Sequence, residues 1–236
     1  MSDEILSVSD LEVSYGDMTV LRNVDLSVPE GGVVSVVGAN GAGKTTLMKA
    51  ISGVKDPDSG AITFRDENTV GLDPHELIQR GLTYVPERHT VFPEMTVLEN
   101  LRTAMIPAQD SNSDVLERVF ELFPILDERR QQDAGTMSGG QQQMLAIAQG
   151  LVVEPDIILL DEPTLGLAPK IVEDVRDTIL EISDNGVTVL LVDEKIQLSK
   201  EVAEDLYLMR KSTLQYLGER GEFEAEYERI LQETIE

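Results

Sequence analysis

The sequence predicts an α/β fold with a mainly parallel sheet flanked by helices, on three observations. A five-residue apolar run, Val33–Val37, feeds a glycine-rich stretch and then a helical pattern over 45–52. A second apolar run over 157–160 ends in two adjacent carboxylates, Asp161 and Glu162. From 151 to 218 the pattern alternates: strand at 157–160, helix at 170–183, strand at 187–192. Continuous apolar runs of this length read as strands buried on both faces. Their alternation with helices implies crossovers between parallel neighbours.

The glycine-rich stretch is Gly38-Ala39-Asn40-Gly41-Ala42-Gly43-Lys44-Thr45-Thr46. It fits G-x-x-x-x-G-K-[ST] and has the strand before and the helix after that this loop needs. Glycines let backbone N–H groups turn inward around an anion, and the helix N-terminus adds partial positive charge. Lys44 is then placed to reach the β- and γ-phosphates of a nucleotide, and Thr45 to hold Mg²⁺. Asp161 and Glu162 fall at the C-terminal edge of a buried strand, where open parallel sheets bind ligands. In that setting Asp161 is the candidate Mg²⁺ partner, and Glu162 the candidate base that orients and deprotonates an attacking water.

Around this core, residues 1–85 hold strand-rich segments and the glycine loop, with turns at Pro29-Glu30-Gly31-Gly32 and Asp56-Pro57-Asp58-Ser59-Gly60. Residues 86–150 read mainly helical, with amphipathic runs over 114–123 and 142–153. Residues 219–236 read as a short charged helix, and the whole as a single domain. Met137-Ser138-Gly139-Gly140-Gln141 precedes the 142–153 run. Ser138 and Gln141 have the spacing of an ordinary capping box.

The glycine loop, the Ser-Gly-Gly-Gln run and the acidic strand end, in this order, resemble the nucleotide-binding subunits of ATP-binding-cassette (ABC) transporters across nearly the whole chain. The resemblance implies a P-loop NTPase cassette with N-terminal antiparallel strands and an inserted helical subdomain over 86–150. It implies ATP and Mg²⁺ as ligands, with Gly38, Asn40, Gly41, Gly43, Lys44, Thr45 and Thr46 around the phosphates and Tyr15 stacked on adenine. Ser138, Gly139, Gly140 and Gln141 match the family's signature, which caps the γ-phosphate held by a second subunit packed head to tail. Val85-Pro86-Glu87 looks like the family's Q-loop, with Glu87 as a further metal-side residue. Phe92, Pro93 and Met95 beside it are candidates for the groove that receives a permease helix. Glu87 and Gly166-Leu167-Ala168-Pro169 are similar to the branched-chain amino-acid importer branch and its LivF-like ATPases; urea importers of that branch are the nearest competing substrate.

Two departures bear on turnover. The family's switch histidine falls here on Glu194, whose ionised carboxylate is no donor to a γ-phosphate. That admits a reading as a nucleotide-gated subunit with weak catalysis. Arg88-His89-Thr90 replaces a glycine and arginines usual in the branch. The two histidines, His75 and His89, lack metal-ligand spacing and read as exposed loop residues.

Composition limits the partners. The chain has 236 residues, 44 Asp and Glu against 19 Lys and Arg, and a formal net charge of −25. That balance repels nucleic acid, and the two cassettes or long coiled coil of DNA-repair relatives are missing. Acids so evenly spread suit a salt-rich cytoplasm, where screening removes self-repulsion. With neither a signal peptide nor an apolar run of spanning length, the expected place is the cytoplasmic face of the membrane. The partners expected there are permease subunits, a second ABC ATPase and, indirectly, an extracellular binding protein.

Overall fold

The computed structural model describes residues 4–87, 91–106, 113–223, 225–227 and 229. Arg88, His89 and Thr90 lie outside the described residues, and so does any role for that turn. The chain opens with strands β1 (Glu4–Tyr15), β2 (Met18–Pro29) and β3 (Val33–Val37), then helix α1 (Lys44–Ile51). Next come β4 (Ser59–Phe64), β5 (Glu67–Asn68), α2 (Pro74–Gln79) and β6 (Leu82–Val85). A helical stretch follows: α3 (Val97–Ala104), α4 (Ser113–Leu122), α5 (Pro124–Asp127), a 3-10 turn at Ala134–Thr136 and α6 (Gly139–Leu151). The chain then runs through β7 (Ile157–Asp161), α7 (Pro169–Asp184), β8 (Thr188–Asp193), α8 (Ile196–Val202), β9 (Asp205–Arg210) and β10 (Thr213–Glu219).

Two sheets form. The six-stranded one has the order β10-β9-β3-β8-β7-β6 and is parallel except for the β9–β10 hairpin. The four-stranded one, β2-β1-β4-β5, is antiparallel throughout. Side chains alternate across the six-stranded sheet with the period of two that a strand imposes. Val33, Val189, Leu191, Ile158 and Leu160 face a core shared with α3 to α7, while Val34, Val36, Leu190, Ile157 and Leu159 face a core shared with α1 and the antiparallel sheet. The sheet is therefore a partition between two apolar layers, and its C-terminal edge is left for chemistry.

Some element bounds differ from the expectation. The helix after the glycine loop begins at Lys44, because Gly43 at φ 118° ends the loop in a conformation that only glycine adopts freely. The signature helix begins at Gly139, three residues before the apolar periodicity does, because the Ser138 capping box starts it there. The 219–236 helix is also corrected: Glu219 closes β10, and helical residues begin only at Phe223. Charge alone could not show that a β9–β10 hairpin occupies the residues before it. Among the described residues no helix is long and apolar enough to cross a membrane.

Candidate functional site

The ends of β3 and β7 meet on one edge because both pair in parallel with β8. β3 delivers the glycine loop and β7 delivers Asp161 as its last residue. Gly38 lies so close to β9 that an added Cβ would fall 2.4 Å from the Met209 carbonyl oxygen, so no larger residue fits. Lys44 is 4% exposed and reaches back across its own loop. Its ammonium donates to the Gly38 carbonyl at 2.8 Å and lies 3.0 Å from Glu162 Oε1. Glu162 is itself buried and held at φ 47°, a left-handed conformation that costs a non-glycine residue about 1–3 kcal/mol and gathers at functional sites. Its own N–H bonds the Val192 carbonyl at 2.8 Å, which fixes the strained residue to β8.

Asp161 is the centre of the hydroxyl contacts. Thr45 Oγ1 donates to its Oδ1 at 3.3 Å, and the Tyr84 hydroxyl donates to its Oδ2 at 2.9 Å. Burial pushes the Asp161 carboxyl above the usual range; the Tyr84 and Thr45 hydrogen bonds oppose this, and the nearby charges of Glu162 and Glu87 add to it. Tyr84 is raised too, first by burial and then by Asp161. Glu87 thus sits within electrostatic reach of the site, two residues past β6. A hydroxyl and a carboxylate at one edge form a hard oxygen donor set, which fits Mg²⁺. Among the described residues no group of three or more His, Cys, Asp or Glu is arranged to hold a metal alone. A Mg²⁺ ion here needs further oxygens, as from nucleotide phosphates.

The other expected residues are distributed as follows. Gly38, Asn40 and Gly41 line a cleft of about 520 Å³ together with Glu194, Lys211 and Tyr227. Asn40 Nδ2 donates to Glu194 Oε2 at 3.0 Å, so Glu194 is brought to the glycine loop and is tethered there. Thr46 lies in the first turn of α1. Tyr15 is 46% exposed at the end of β1, with the Lys55 ammonium 5.6 Å from its ring centre. Ser138, Gly139, Gly140 and Gln141 open α6; the Ser138 hydroxyl accepts from the Gln141 N–H, and Gln141 Oε1 accepts from the Ser138 N–H. None of these four lines the glycine-loop cleft; Ser138, Gly140 and Gln141 border a separate one with α7. His75 is exposed beside Gln79.

Three contributors escaped the motifs. Tyr84 is one. Asn100 is fully buried and binds the Phe92 N–H and the carbonyls of Phe92, Met95 and Thr96, which ties down the turn before α3. Asp193 is buried and accepts from the Thr164 hydroxyl at 2.9 Å and the Lys195 N–H at 3.0 Å. A signal for Asp193 existed: it ends β8 as Asp161 ends β7.

Comparison with known proteins decides the family. The pattern of the ABC transporter family matches residues 21–165, more than half of the chain. The chain belongs to the ABC transporter family. It is 38% identical over 211 residues to the high-affinity branched-chain amino acid transport ATP-binding protein BraG of Pseudomonas aeruginosa, covering 89% of this chain and 91% of that protein. It is 34% identical over 220 residues to the probable branched-chain amino acid transport ATP-binding protein LivF of Archaeoglobus fulgidus, covering 92% and 93%. Among solved structures, the ADP conformation of an ABC transporter's ATP-binding cassette superposes with a TM-score of 0.86 at 27% identity over 94% of each chain. A dimeric post-hydrolysis cassette bound to ADP and Pi matches with a TM-score of 0.79 at 25% identity, covering 90% of this chain and 98% of that one. This ABC subunit is an ATPase with the α/β cassette fold of its relatives.

Proposed function

We propose that this subunit powers a branched-chain amino acid importer by hydrolysing ATP at the edge formed by β3 and β7. The observation that carries the chemistry is the meeting of Lys44, Thr45, Asp161 and Glu162 there. Lys44 and the loop N–H groups bind the phosphates, with Tyr15 placed for the base. Thr45 and Asp161 would hold Mg²⁺, with Glu87 nearby, and the ion would supply positive charge to offset that of the phosphates. Glu162 accepts the proton of the attacking water. Ser138 to Gln141, remote from this cleft, present a helix N-terminus to the nucleotide of a second ABC ATPase. The similarity to BraG and LivF supports branched-chain amino acids over urea.

Phe92, Pro93 and Met95 are exposed beside α3 and form the permease-facing surface in this reading. The partners are membrane permease subunits, a second ABC ATPase and, through the permease, an extracellular binding protein, which places the chain at the cytoplasmic face. The charge of −25 and its even spread support a salt-rich, halophilic cytoplasm. Glu194 supports slower turnover at this site than at a partner site with a hydrogen-bond donor in its place.

The test is ATP hydrolysis by the assembled transporter in liposomes with its binding protein. Leucine, isoleucine or valine stimulates hydrolysis and urea does not. Glu162→Gln keeps ATP binding and loses about 10²- to 10⁴-fold in turnover, the usual worth of a positioned base. Normal hydrolysis by this variant would assign the proton to another group, and stimulation by urea alone would overturn the substrate.

A further inference from the structure

An aspartate carboxylate turns easily about its last torsion, which is broad and roughly two-fold. A cation partner must nevertheless present one oxygen in one direction. Asp161 accepts from two hydroxyls on two different elements: Thr45 of α1 on Oδ1 and Tyr84 of β6 on Oδ2. The two are not equivalent. Thr45 follows Lys44 in the phosphate loop, and its hydroxyl oxygen is itself a candidate for the cation, so its bond to Asp161 is exchanged when the site fills. Tyr84 comes from β6, a strand in register with β7, where it pairs with Leu159. Its phenol donates to Oδ2 and leaves Oδ1 to Thr45 and, when the site fills, to the cation.

We propose that Tyr84 is a positioning residue that fixes the Asp161 carboxylate for the divalent cation accompanying the nucleotide. Outer partners of this kind orient the groups that touch a metal and are worth roughly ten- to a hundredfold in metal affinity. β6 leads within two residues to Glu87, so the same strand that carries the Q-loop sets the direction of Asp161. The alternative is that the hydroxyl bonds Asp161 only to satisfy two polar groups removed from water, a role in stability alone.

The inference rests on Asp161 being the cation partner, and the experiment separates the two. Nucleotide binding to the full chain is titrated with and without Mg²⁺ for the native protein and for Tyr84→Phe, and thermal unfolding is followed without Mg²⁺. Tyr84→Phe leaves Mg²⁺-free nucleotide affinity unchanged and raises the Mg²⁺ concentration for half-maximal enhancement roughly ten- to a hundredfold. Replacing Tyr84 with 4-aminophenylalanine, which restores a donor at the same place, returns the Mg²⁺ dependence toward native. An unchanged Mg²⁺ dependence in Tyr84→Phe overturns the inference, as does a fall in melting temperature with equal losses of binding with and without Mg²⁺. No Mg²⁺ enhancement in the native protein removes the Asp161 reading itself, and this inference with it.

Discussion

Lys44 has three N–H donors. All three directions are taken inside the protein, by the carbonyls of Gly38 and Ala39 and by Glu162. An arriving phosphate must displace one of them, and Glu162 is the partner that is a side chain and can swing. In the proposed function, nucleotide binding then frees Glu162 from Lys44. Glu194 makes the second local argument. Its carboxylate accepts from Asn40 at 3.0 Å, so a negative charge is fixed beside the phosphate loop. Glu194→His restores a donor, and a charge-assisted hydrogen bond gained there is worth about 1.5–3 kcal/mol, or roughly ten- to a hundredfold in rate. With the partner ATPase's own loop blocked, hydrolysis by the assembled transporter rises by that order. A fall instead would mean that the Asn40 tether serves this site. Lys44, Thr45, Asp161 and Glu162 were legible because their chemistry demands fixed residue types at fixed offsets from a strand. Tyr84 was not, because its contact with Asp161 spans 77 residues and depends on the register of β6 against β7.

At the scale of elements, α3 and α6 hold the Q-loop side of the molecule to the signature side. Thr96 and Glu99 cap α3 reciprocally, and the hydrogen bonds from Thr96 hold the Glu99 carboxyl below its usual range. Asn100, one residue on, fastens the 92–96 turn, and Gln149 of α6 reaches its side-chain oxygen at 3.4 Å. Asn100→Ala leaves the part-buried Phe92 N–H and the carbonyls of Phe92, Met95 and Thr96 without the Asn100 side chain, and costs about 1–3 kcal/mol. Urea unfolding read by circular dichroism measures this as a lower midpoint; a midpoint within error of native would show the turn to be held by other bonds. The periodicity of α4 and α6 was visible in the sequence, as the runs over 114–123 and 142–153. The capping geometry that moves the start of α6 to Gly139 was visible only as a spacing, since Ser-x-x-Gln occurs in many helices that do nothing else.

At the scale of the whole molecule, charge is the dominant quantity. Several surface arginines are paired with carboxylates: Arg130 with Glu117 and Asp127, Arg176 with Asp177 and Glu201, Arg118 with Glu154 and Arg65 with Asp156. The remaining carboxylates repel one another over a Debye length of about 30 Å at 0.01 M salt and about 3 Å at 1 M. Thermal unfolding in rising KCl follows from this, with the midpoint climbing from dilute buffer to about 1 M as the repulsion is screened. A flat profile would remove the argument for a saline habitat. The parallel sheet with its crossover helices was legible from the strand–helix alternation; the strand order and the division of the sheet's side chains between two cores were not, since continuous apolar strands carry no mark of which face is which.

Gly150 lies where α6 rests on the sheet: a Cβ there would stand 2.7 Å from Val85 Cγ2 and 2.9 Å from Ile158 Cδ1. The helical part and the strands are therefore fitted to each other at atomic contact, with Val85, Ile158 and Leu160 supplying the floor on which α6 lies. A protein engineer who exchanges residues 86–150 for those of another cassette, hoping to redirect the subunit to a different permease, inherits this fit as a condition. The graft must bring a glycine to the 150 position or carry its own β6 and β7 side chains with it. In the proposed function, the permease-facing helical part and the sheet are therefore one fitted unit that cannot be exchanged piecewise.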